Sequence, residues 1–466
     1  MRIRKRVVAW ACVSMLAAPA WAEDASEHAR LAAELAALRE QIVQMQSMYE
    51  RRIAALEAKL AGAAKAEPTE QAASSPQIES PPAPQVPYPA SAKSGASSFN
   101  PEISLVLQGA YTNRKKVEDG HIGGFVSAGG DAHGEDQRGL TLDHTELVFA
   151  ANIDPYWRGQ TTVAVLDGEA EVEEAWFQTT ALGHGTGIKA GRFRSGIGYL
   201  NEQHEHQWDF YGQPLMYKAL FGDNGYSQDG LQLKWVAPLD TFVELGAEIG
   251  RGQNFPGDDR NLNGANSQAL FAHVGGDVGI SNSWRAGLSW LHTRAGARES
   301  DFETEHGIDV EGAFNGRSRV WIADFVYKWA PDGNPAQRNF KFQAEYFRRS
   351  ESGNLDVDDG LYSNLWRTRQ SGYYLAGVYQ FTPNWRAGLR YDRLSSGWQS
   401  LGDNPADIAI VRYRPNRIST MADYSWSEFS RIRLQWSRDR SIPGLTDNQI
   451  TLQYIMSLGS HGAHKF

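Results

Sequence analysis

The chain has 466 residues, including 46 glycines and 15 tryptophans, and carries a formal net charge of −9 at pH 7. Its mean hydropathy is −0.49 and it contains no apolar run of 18 residues, so no membrane-spanning helix is predicted. The acidic charge argues against a nucleic-acid partner, whereas low hydropathy with many glycines and aromatic residues is compatible with half-apolar strands that span a membrane.

The first 22 residues have the pattern of a secretory signal peptide. Residues 2–6 contain four positive charges, Val7 to Leu16 form an apolar stretch, and Ala20 to Ala22 form a small-x-small cleavage site. Cleavage after Ala22 removes these four charges and no negative ones, which moves the formal charge from −9 to −13. It also removes Cys12, the one cysteine, so the mature chain is predicted to have no disulfide, thiolate zinc site or cysteine nucleophile.

Residues 23–64 are predicted to form a helix with a single apolar seam. The seam residues follow steps of three and four: Leu31, Leu35, Leu38, Ile42, Met45, Tyr49, Ile53, Leu56 and Leu60. This spacing is typical of a coiled coil, and a lone helix of this kind is marginal in water. The alternative is an amphipathic helix packed on the chain's own barrel. Seven prolines in residues 65–97 then indicate a semi-extended linker.

From residue 98 to residue 466, apolar and polar residues alternate in segments of about ten residues, which predicts β-strands with one apolar and one polar face. We predict sixteen strands, near 103–113, 140–151, 158–166, 172–180, 187–197, 230–236, 240–250, 267–278, 283–293, 317–329, 339–349, 370–381, 384–395, 417–427, 429–438 and 447–458. The predicted fold class is all-β, a transmembrane antiparallel β-barrel of about 16 strands preceded by the coiled coil. A barrel of this size leaves an aqueous channel.

The connections between the predicted strands alternate in length. Short turns of two to nine residues alternate with connections that are mostly long, at 114–139, 167–171, 198–229, 251–266, 294–316, 350–369, 396–416 and 439–446. Six tryptophans lie in or beside the short turns: Trp157, Trp235, Trp284, Trp329, Trp385 and Trp426. Short periplasmic turns, long external loops and aromatic girdles are typical of outer-membrane barrels.

The last predicted strand carries apolar residues at every second position from Ile450 to Leu458, and the chain ends on Phe466. This strand resembles the closing strand of Gram-negative outer-membrane barrels, in which the terminal aromatic residue belongs to the signal read by the assembly machinery.

The barrel region also resembles the porins, and within them the phosphate-selective porin O/P group. The matching residues are Gly191-Arg192-Phe193 followed by Gly196-Ile197-Gly198. The resemblance implies a barrel fold and a channel activity. Because no phosphate-binding ladder of lysines is matched, phosphate selectivity is not implied.

The third long connection, 198–229, is predicted to fold inward and narrow the pore, as the third loop does in general porins. It contains the carboxylates Glu202, Glu205 and Asp209 and the pair His204 and His206. Two imidazoles beside carboxylates are suited to bind Zn²⁺ or a similar divalent ion. The alternative is a polar loop that only sets the size and charge of the pore.

Positively charged wall residues are predicted to face the lumen opposite this loop. They are Arg192, Arg194, Arg386, Arg390, Arg431 and Arg433. Arginines and carboxylates on opposing walls would produce a transverse field that tunes ion preference. The alternative is that these charges only pair across adjacent strands and hydrate the lumen.

These patterns predict an outer-membrane porin for passive diffusion of small polar or charged solutes, without catalytic residues and without a cofactor. The expected partners are outer-membrane lipid and lipopolysaccharide, the barrel assembly machinery through Phe466, and two further copies in a homotrimer. One alternative is a structural tether that joins the outer membrane to peptidoglycan through the coiled coil. Another is a divalent-metal uptake channel that uses the third loop.

Overall fold

A computed structural model describes residues 101–459 of the chain, except 117–120, 127–136, 143, 167–168, 259–260 and 262. The predicted signal peptide, the coiled coil and linker, and Phe466 lie outside the described residues. No helix within the described part is long and apolar enough to cross a membrane.

The described residues form a single antiparallel sheet of seventeen strands. The strands are β1(Glu102–Asn113), β2(Gly139–Leu142), β3(Thr145–Asn152), β4(Trp157–Leu166), β5(Glu169–Thr179), β6(Thr186–Arg194), β7(Ser227–Val236), β8(Phe242–Gly250), β9(Ser267–Val278), β10(Asn282–Glu303), β11(Asp309–Trp329), β12(Asn339–Val357), β13(Tyr362–Gln380), β14(Trp385–Ser400), β15(Asn416–Ser427), β16(Ser430–Arg440) and β17(Asp447–Gly459). One α-helix, α1(Leu215–Phe221), and two short 3-10 turns, Glu205–Gln207 and Pro331–Gly333, lie in connections between them.

The sheet closes on itself because β1 pairs with β17, with Ser104 opposite Gly459 and Asn113 opposite Ile450. Both β2 and β3 pair with β1, one along each half of its length, so they occupy one position in the wall. The wall therefore has sixteen strand positions, and the predicted sixteen-strand antiparallel barrel is confirmed.

The barrel has its apolar side chains outside and its polar ones inside. On β16, Leu434 is 54% exposed whereas its neighbours Arg433 and Gln435 are 1% and 5% exposed. On β17, Leu452 is 48% exposed between the buried Thr451 and Gln453. This alternation follows from the two-residue period of a strand, and it covers the outer wall with leucine, valine and aromatic side chains. Such a surface is suited to lipid.

The predicted short turns are confirmed, and all six predicted tryptophans lie within two residues of the short-turn end of a strand. The prediction of long loops at 294–316 and 350–369 is wrong. Strands β10 to β13 are 19 to 22 residues long. Only residues 304–308 join β10 to β11, and only residues 358–361 join β12 to β13. Their hydrogen-bonded pairing continues past the apolar part of the wall, so a polar sequence there forms strand instead of loop.

The first test concerns the apolar outer face. We expect Leu434→Arg, in the middle of the wall, to lower the free energy of unfolding by about 2–4 kcal/mol, because it places a charge at the centre of the bilayer. Val278→Arg, at the short-turn end of β9, is the matched control and should cost only about 0–1 kcal/mol. Urea unfolding in phospholipid vesicles measures both, and equal costs at the two positions would contradict a lipid-covered wall.

Candidate functional site

The connection between β6 and β7, residues 195–226, lies inside the barrel; we call it loop 3. Ile197, Met216, Leu220 and Tyr226 in this loop are fully buried. Its apolar side chains pack against inward-facing wall residues such as Phe271 and against α1 of the same loop. The inward fold predicted from the sequence is what the structure has.

Two glutamates on the wall hold the first part of loop 3. Glu248 accepts hydrogen bonds from Ser195 Oγ (2.6 Å) and from the backbone N–H of Gly196 (2.9 Å). Glu345 accepts from the backbone N–H groups of Tyr199 (3.1 Å) and Leu200 (3.2 Å). These carboxylates satisfy N–H groups that have no sheet partner, and buried backbone groups need such partners.

Gly198 allows this close approach to Glu345. Its φ is +71°, and an added Cβ would lie 2.5 Å from Glu345 Oε2 and 2.6 Å from the Tyr217 hydroxyl. The same hydroxyl donates a hydrogen bond to Glu345 at 2.9 Å. A side chain at position 198 would therefore push the loop away from its anchor.

Arginines from other strands hold the rest of the loop by its carbonyl groups. Arg431 donates to the carbonyl of His206 (2.8 Å), Arg433 to Trp208 (2.8 Å), Arg349 to Ala219 (2.9 Å), and Arg390 to both Gly212 (2.7 Å) and Gln213 (3.4 Å). Hydrogen bonds from charged donors are stronger than those from neutral ones. Irregular backbone is thereby stabilised inside the barrel.

A second group of charged side chains keeps partial contact with solvent inside the barrel. This charged ring consists of Glu202, Asp209, Lys234, Arg285, Lys341 and Arg386, whose side chains are 10% to 34% exposed. Its wall members all lie within four residues of the short-turn end of their strands. Glu202 pairs with Lys234 at 2.6 Å, and Asp209 pairs with Lys341 and with Arg386, the latter at 3.0 Å. Loop 3 and the wall thus bring opposite charges together in the lumen.

These pairs keep the two loop carboxylates ionised. Burial alone would raise the pKa of Glu202, but Lys234 lowers it to about 2. Burial would likewise raise the pKa of Asp209, but Lys341 and Arg386 hold it well below its usual range. Both carboxylates are therefore negatively charged at neutral pH.

The predicted constriction arginines fall into three groups. Arg386, and in part Arg431, keep side-chain exposure in the lumen, whereas Arg194, Arg390 and Arg433 are buried and hold backbone or carboxylate partners. The prediction for Arg192 is wrong, because it pairs with Asp229 at 2.7 Å on the same face as the exposed Leu231. Its neighbour Phe193 is fully buried, with Lys189 Nζ 5.9 Å from the centre of its ring.

Glu205, the remaining predicted constriction carboxylate, lies in the 3-10 turn Glu205–Gln207 and is partly buried. The structure places it on the same loop as Glu202 and Asp209, between the two predicted metal-ligating histidines.

His204 and His206 belong to a buried group of six residues, which we call the His–Glu cluster: His144, Glu146, Glu173, Glu174, His204 and His206. His204 lies 3.3 Å from Glu146, 3.2 Å from Glu173 and 2.9 Å from Glu174. His206 Nδ1 lies 3.1 Å from Glu146 Oε1. Burial by itself would lower the pKa of His204, but the carboxylates of Glu146 and Glu173 raise it well above its usual value.

A β-bulge explains why two consecutive glutamates face the same histidine. Thr162 pairs with Glu174 and Val163 with Val172, so Glu173 has no partner on β4. The extra residue turns both carboxylates inward, where regular alternation would place only one.

Sequence reasoning found the two loop histidines but missed the four wall residues. The spacing of His144 and Glu146, two residues apart at the start of a strand, was the one available signal that they share a face.

A cavity of about 590 Å³ lies at the long-loop end of the barrel. Residues 121–126 line it, together with Phe302, Trp366 and Ile408. The backbone oxygen of Gly124 accepts hydrogen bonds from Gln370 (2.8 Å) and Gln399 (3.1 Å). Residues 121–126, in the connection between β1 and β2, therefore also lie against the barrel interior.

The chain is similar to an uncharacterized protein of Aquifex aeolicus (strain VF5), with 30% identity over 396 residues that cover 79% of this chain and 80% of the relative. No protein-family model matches the chain.

Similar solved structures include OmpT, an outer membrane protein of Vibrio cholerae in its trimer form (11% identity, TM-score 0.48, covering 77% of this chain and 99% of that one). The outer membrane channel DcaP of Acinetobacter baumannii has 13% identity and a TM-score of 0.45, with coverage of 77% and 97%. An anion-selective porin from Comamonas acidovorans has 11% identity and a TM-score of 0.45, with coverage of 77% and 99%.

The second test concerns the ion pairs of Asp209. Asp209→Asn should lower the free energy of unfolding at pH 7 by about 2 kcal/mol. This is less than the 3–5 kcal/mol of a fully buried pair, because both cations keep some solvent and Arg386 keeps Asp423. Because the folded-state pKa of Asp209 is depressed, its contribution is complete above the unfolded-state pKa of about 3.9 and is lost as the pH falls further.

Urea unfolding of the parent and Asp209→Asn at several pH values measures this difference. Asp277→Asn, at an exposed position at the end of β9, is the control and should change little. A difference that stays constant on acidification would show that the Asp209 carboxylate does not stabilise the fold through its charge.

Proposed function

The chain belongs to the same family as the Aquifex aeolicus protein, and we propose that it is a porin of a Gram-negative outer membrane. The proposal is that small polar or charged solutes diffuse passively through the sixteen-strand barrel, without catalysis. Loop 3 narrows the lumen, and the charged ring is where permeating ions meet fixed charge. The observation that carries the proposal has two parts. Loop 3 is hydrogen-bonded to wall residues on several strands, and the side chains of the charged ring keep contact with solvent.

The outer wall supports the membrane location. Large apolar side chains are exposed on nearly every strand while their polar neighbours are buried, which is the reverse of a water-soluble domain. The tryptophans at the short turns would lie at one membrane interface, with Trp385 45% and Trp426 56% exposed.

The charged ring suggests a preference among ions. Its four cations, Lys234, Arg285, Lys341 and Arg386, face the carboxylates Glu202 and Asp209, and Arg285 and Arg386 also pair with the wall carboxylates Asp324 (3.7 Å) and Asp423 (2.6 Å). Charges that line a narrow site act on permeating ions across little water, so their sum influences selectivity. We therefore propose that the balance of these charges sets ion preference, so that loss of a ring carboxylate favours anions and loss of a ring cation favours cations. Membership of the phosphate-selective O/P group stays a prediction that rests on residues 191–198.

The assembly part of the proposal rests on the sequence. A coiled coil at 23–64 would join three copies into a homotrimer, lipid and lipopolysaccharide would surround the barrel, and Phe466 would be read by the assembly machinery. The coiled coil is also the basis for the alternative role as a tether to peptidoglycan.

The third test is ion selectivity in planar bilayers. Glu202→Gln should raise the anion-to-cation permeability ratio and Lys234→Gln should lower it, although the two residues form one ion pair. A charge at about 4 Å contributes about 1 kcal/mol even at the dielectric constant of water, which corresponds to a change of about fivefold.

Arg192→Gln is the matched control for this test. It removes a charge that pairs with Asp229 on the outer wall, so the reversal potential should stay as in the parent. Shifts of the same sign for Glu202→Gln and Lys234→Gln, or a shift for Arg192→Gln alone, would place the charged ring outside the conduction path. A parent protein that inserts but conducts no ions would contradict the porin proposal and favour the tether.

The fourth test separates the two roles of the N-terminal segment. Deleting residues 23–64 should leave barrel insertion and single-channel conductance unchanged but reduce the fraction of trimer on native gels, because the apolar seam lies only there. Conductance of each channel and peptidoglycan co-sedimentation are measured on the same preparations. Unchanged trimer content with lost co-sedimentation would reject the seam as a trimer contact.

A further inference from the structure

The His–Glu cluster is separate from the charged ring. It lies between the wall, which contributes Glu146 on β3 and Glu173 on β5, and residues 204–206 of loop 3. Glu146 is fully buried, and Glu173 and His144 are 8% and 6% exposed. A site this closed contributes nothing directly to passing ions, so its six titratable groups need another explanation.

Three donor atoms in the cluster have the spacing of metal ligands. His144 Nε2 lies 3.2 Å from Glu173 Oε1 and 3.5 Å from Glu146 Oε1. One ligand atom from each of these three residues lies within 4.8 Å of the other two. Bonds of about 2.0–2.1 Å at tetrahedral angles place ligand atoms about 3.3 Å apart, so two of the three separations match edges of a zinc coordination shell.

One of these three donor atoms lacks a hydrogen bond that would explain its burial. His144 Nε2 lies 3.2 Å from Glu173 Oε1 without hydrogen-bond geometry. Glu173 Oε1 accepts from Arg194 at 3.2 Å, and Glu146 Oε1 lies 3.1 Å from His206 Nδ1. Buried polar atoms normally have hydrogen-bond partners, and a buried polar atom without one destabilises the fold. A cation between the donors would satisfy them without a hydrogen-bond angle.

The charge count points the same way. Glu146, Glu173 and Glu174 contribute three negative charges, and Arg194, which lies 3.2 Å from Glu173, contributes one positive charge. Two negative charges are left, and buried charge must be balanced. Protons on the imidazoles balance it in the metal-free site, and a divalent cation would take their place.

We propose that His144, Glu146 and Glu173 bind a divalent transition-metal ion of the Zn²⁺ class, with a fourth position left for a further donor. One imidazole with two carboxylates favours zinc over Mg²⁺ or Ca²⁺, which prefer all-oxygen sites. His204 and His206 contact the same carboxylates from loop 3 and so act as positioning residues that orient the ligands. The ion would thereby fix loop 3 against β3 and β5. The sequence-based assignment of His204 and His206 as the metal ligands changes accordingly.

The test is metal binding by the purified full-length chain in detergent. After treatment with a chelator and its removal, the protein is titrated with Zn²⁺ and with Co²⁺. We expect one ion per chain, visible absorption of the Co²⁺ form, and zinc X-ray absorption showing N/O ligands at about 2.0–2.2 Å with imidazole scattering.

Three variants assign the ligands. His144→Ala and Glu173→Gln should each weaken Zn²⁺ binding at least about tenfold and lower the Co²⁺ absorption. His204→Ala should weaken binding but keep the Co²⁺ spectrum of the parent. His273→Ala is the matched control, because His273 is equally buried and its Nδ1 lies 2.9 Å from a single carboxylate, Glu244; it should bind as the parent does.

Heat-dependent gel migration establishes that each variant has folded. If a variant fails to fold, the parent protein alone decides through its stoichiometry and its X-ray absorption. No saturable binding by the parent, a zinc spectrum without imidazole, or binding that survives in both His144→Ala and Glu173→Gln would overturn the proposal.

Discussion

The structure depends on one constraint, namely that irregular backbone inside a barrel must find hydrogen-bond partners on the wall. The outside of the wall is apolar, so the inner face has to supply them. Glu248 and Glu345 accept from the N–H groups at the start of loop 3, and Arg390 and Arg433 donate to its carbonyl groups further on. Without these wall residues, the buried backbone groups of loop 3 would lack hydrogen-bond partners, and its position in the lumen would be destabilised.

This constraint divides residues of the same chemical type between two roles. Arg390 is 3% exposed and serves the loop backbone, whereas Arg386, four residues earlier on the same face, keeps contact with solvent and pairs with Asp209. The difference is their position relative to loop 3. Arg390 lies farther from the short turn and donates to the loop backbone, whereas the wall cations near the short turns contact the loop and keep some solvent.

The His–Glu cluster shows how a small irregularity in the wall changes its chemistry. A single unpaired residue at Glu173 places two adjacent carboxylates on one side of β5, and the break between β2 and β3 lets His144 approach them. Regular strands would have distributed these groups over both faces. Loop 3 then brings two imidazoles from a distant part of the sequence. The same contacts that concentrate negative charge also attach the loop to the wall.

The sequence by itself determined the barrel. Alternation on segments such as residues 447–458, the six tryptophans beside short turns and the lengths of most connections predicted sixteen strands, because strand periodicity is a local property that each segment carries alone. Only the tertiary structure decided which charges share a site. Arg192 and Arg386 both occupy strands with alternating patterns, yet one faces outward beside Asp229 and the other meets Asp209 across the lumen. Likewise, the bulge at Glu173 depends on the register of β5 against β4. His144 and His204 both contact Glu173 only once the barrel has closed. Such contacts join residues far apart in the chain, and no local pattern encodes them.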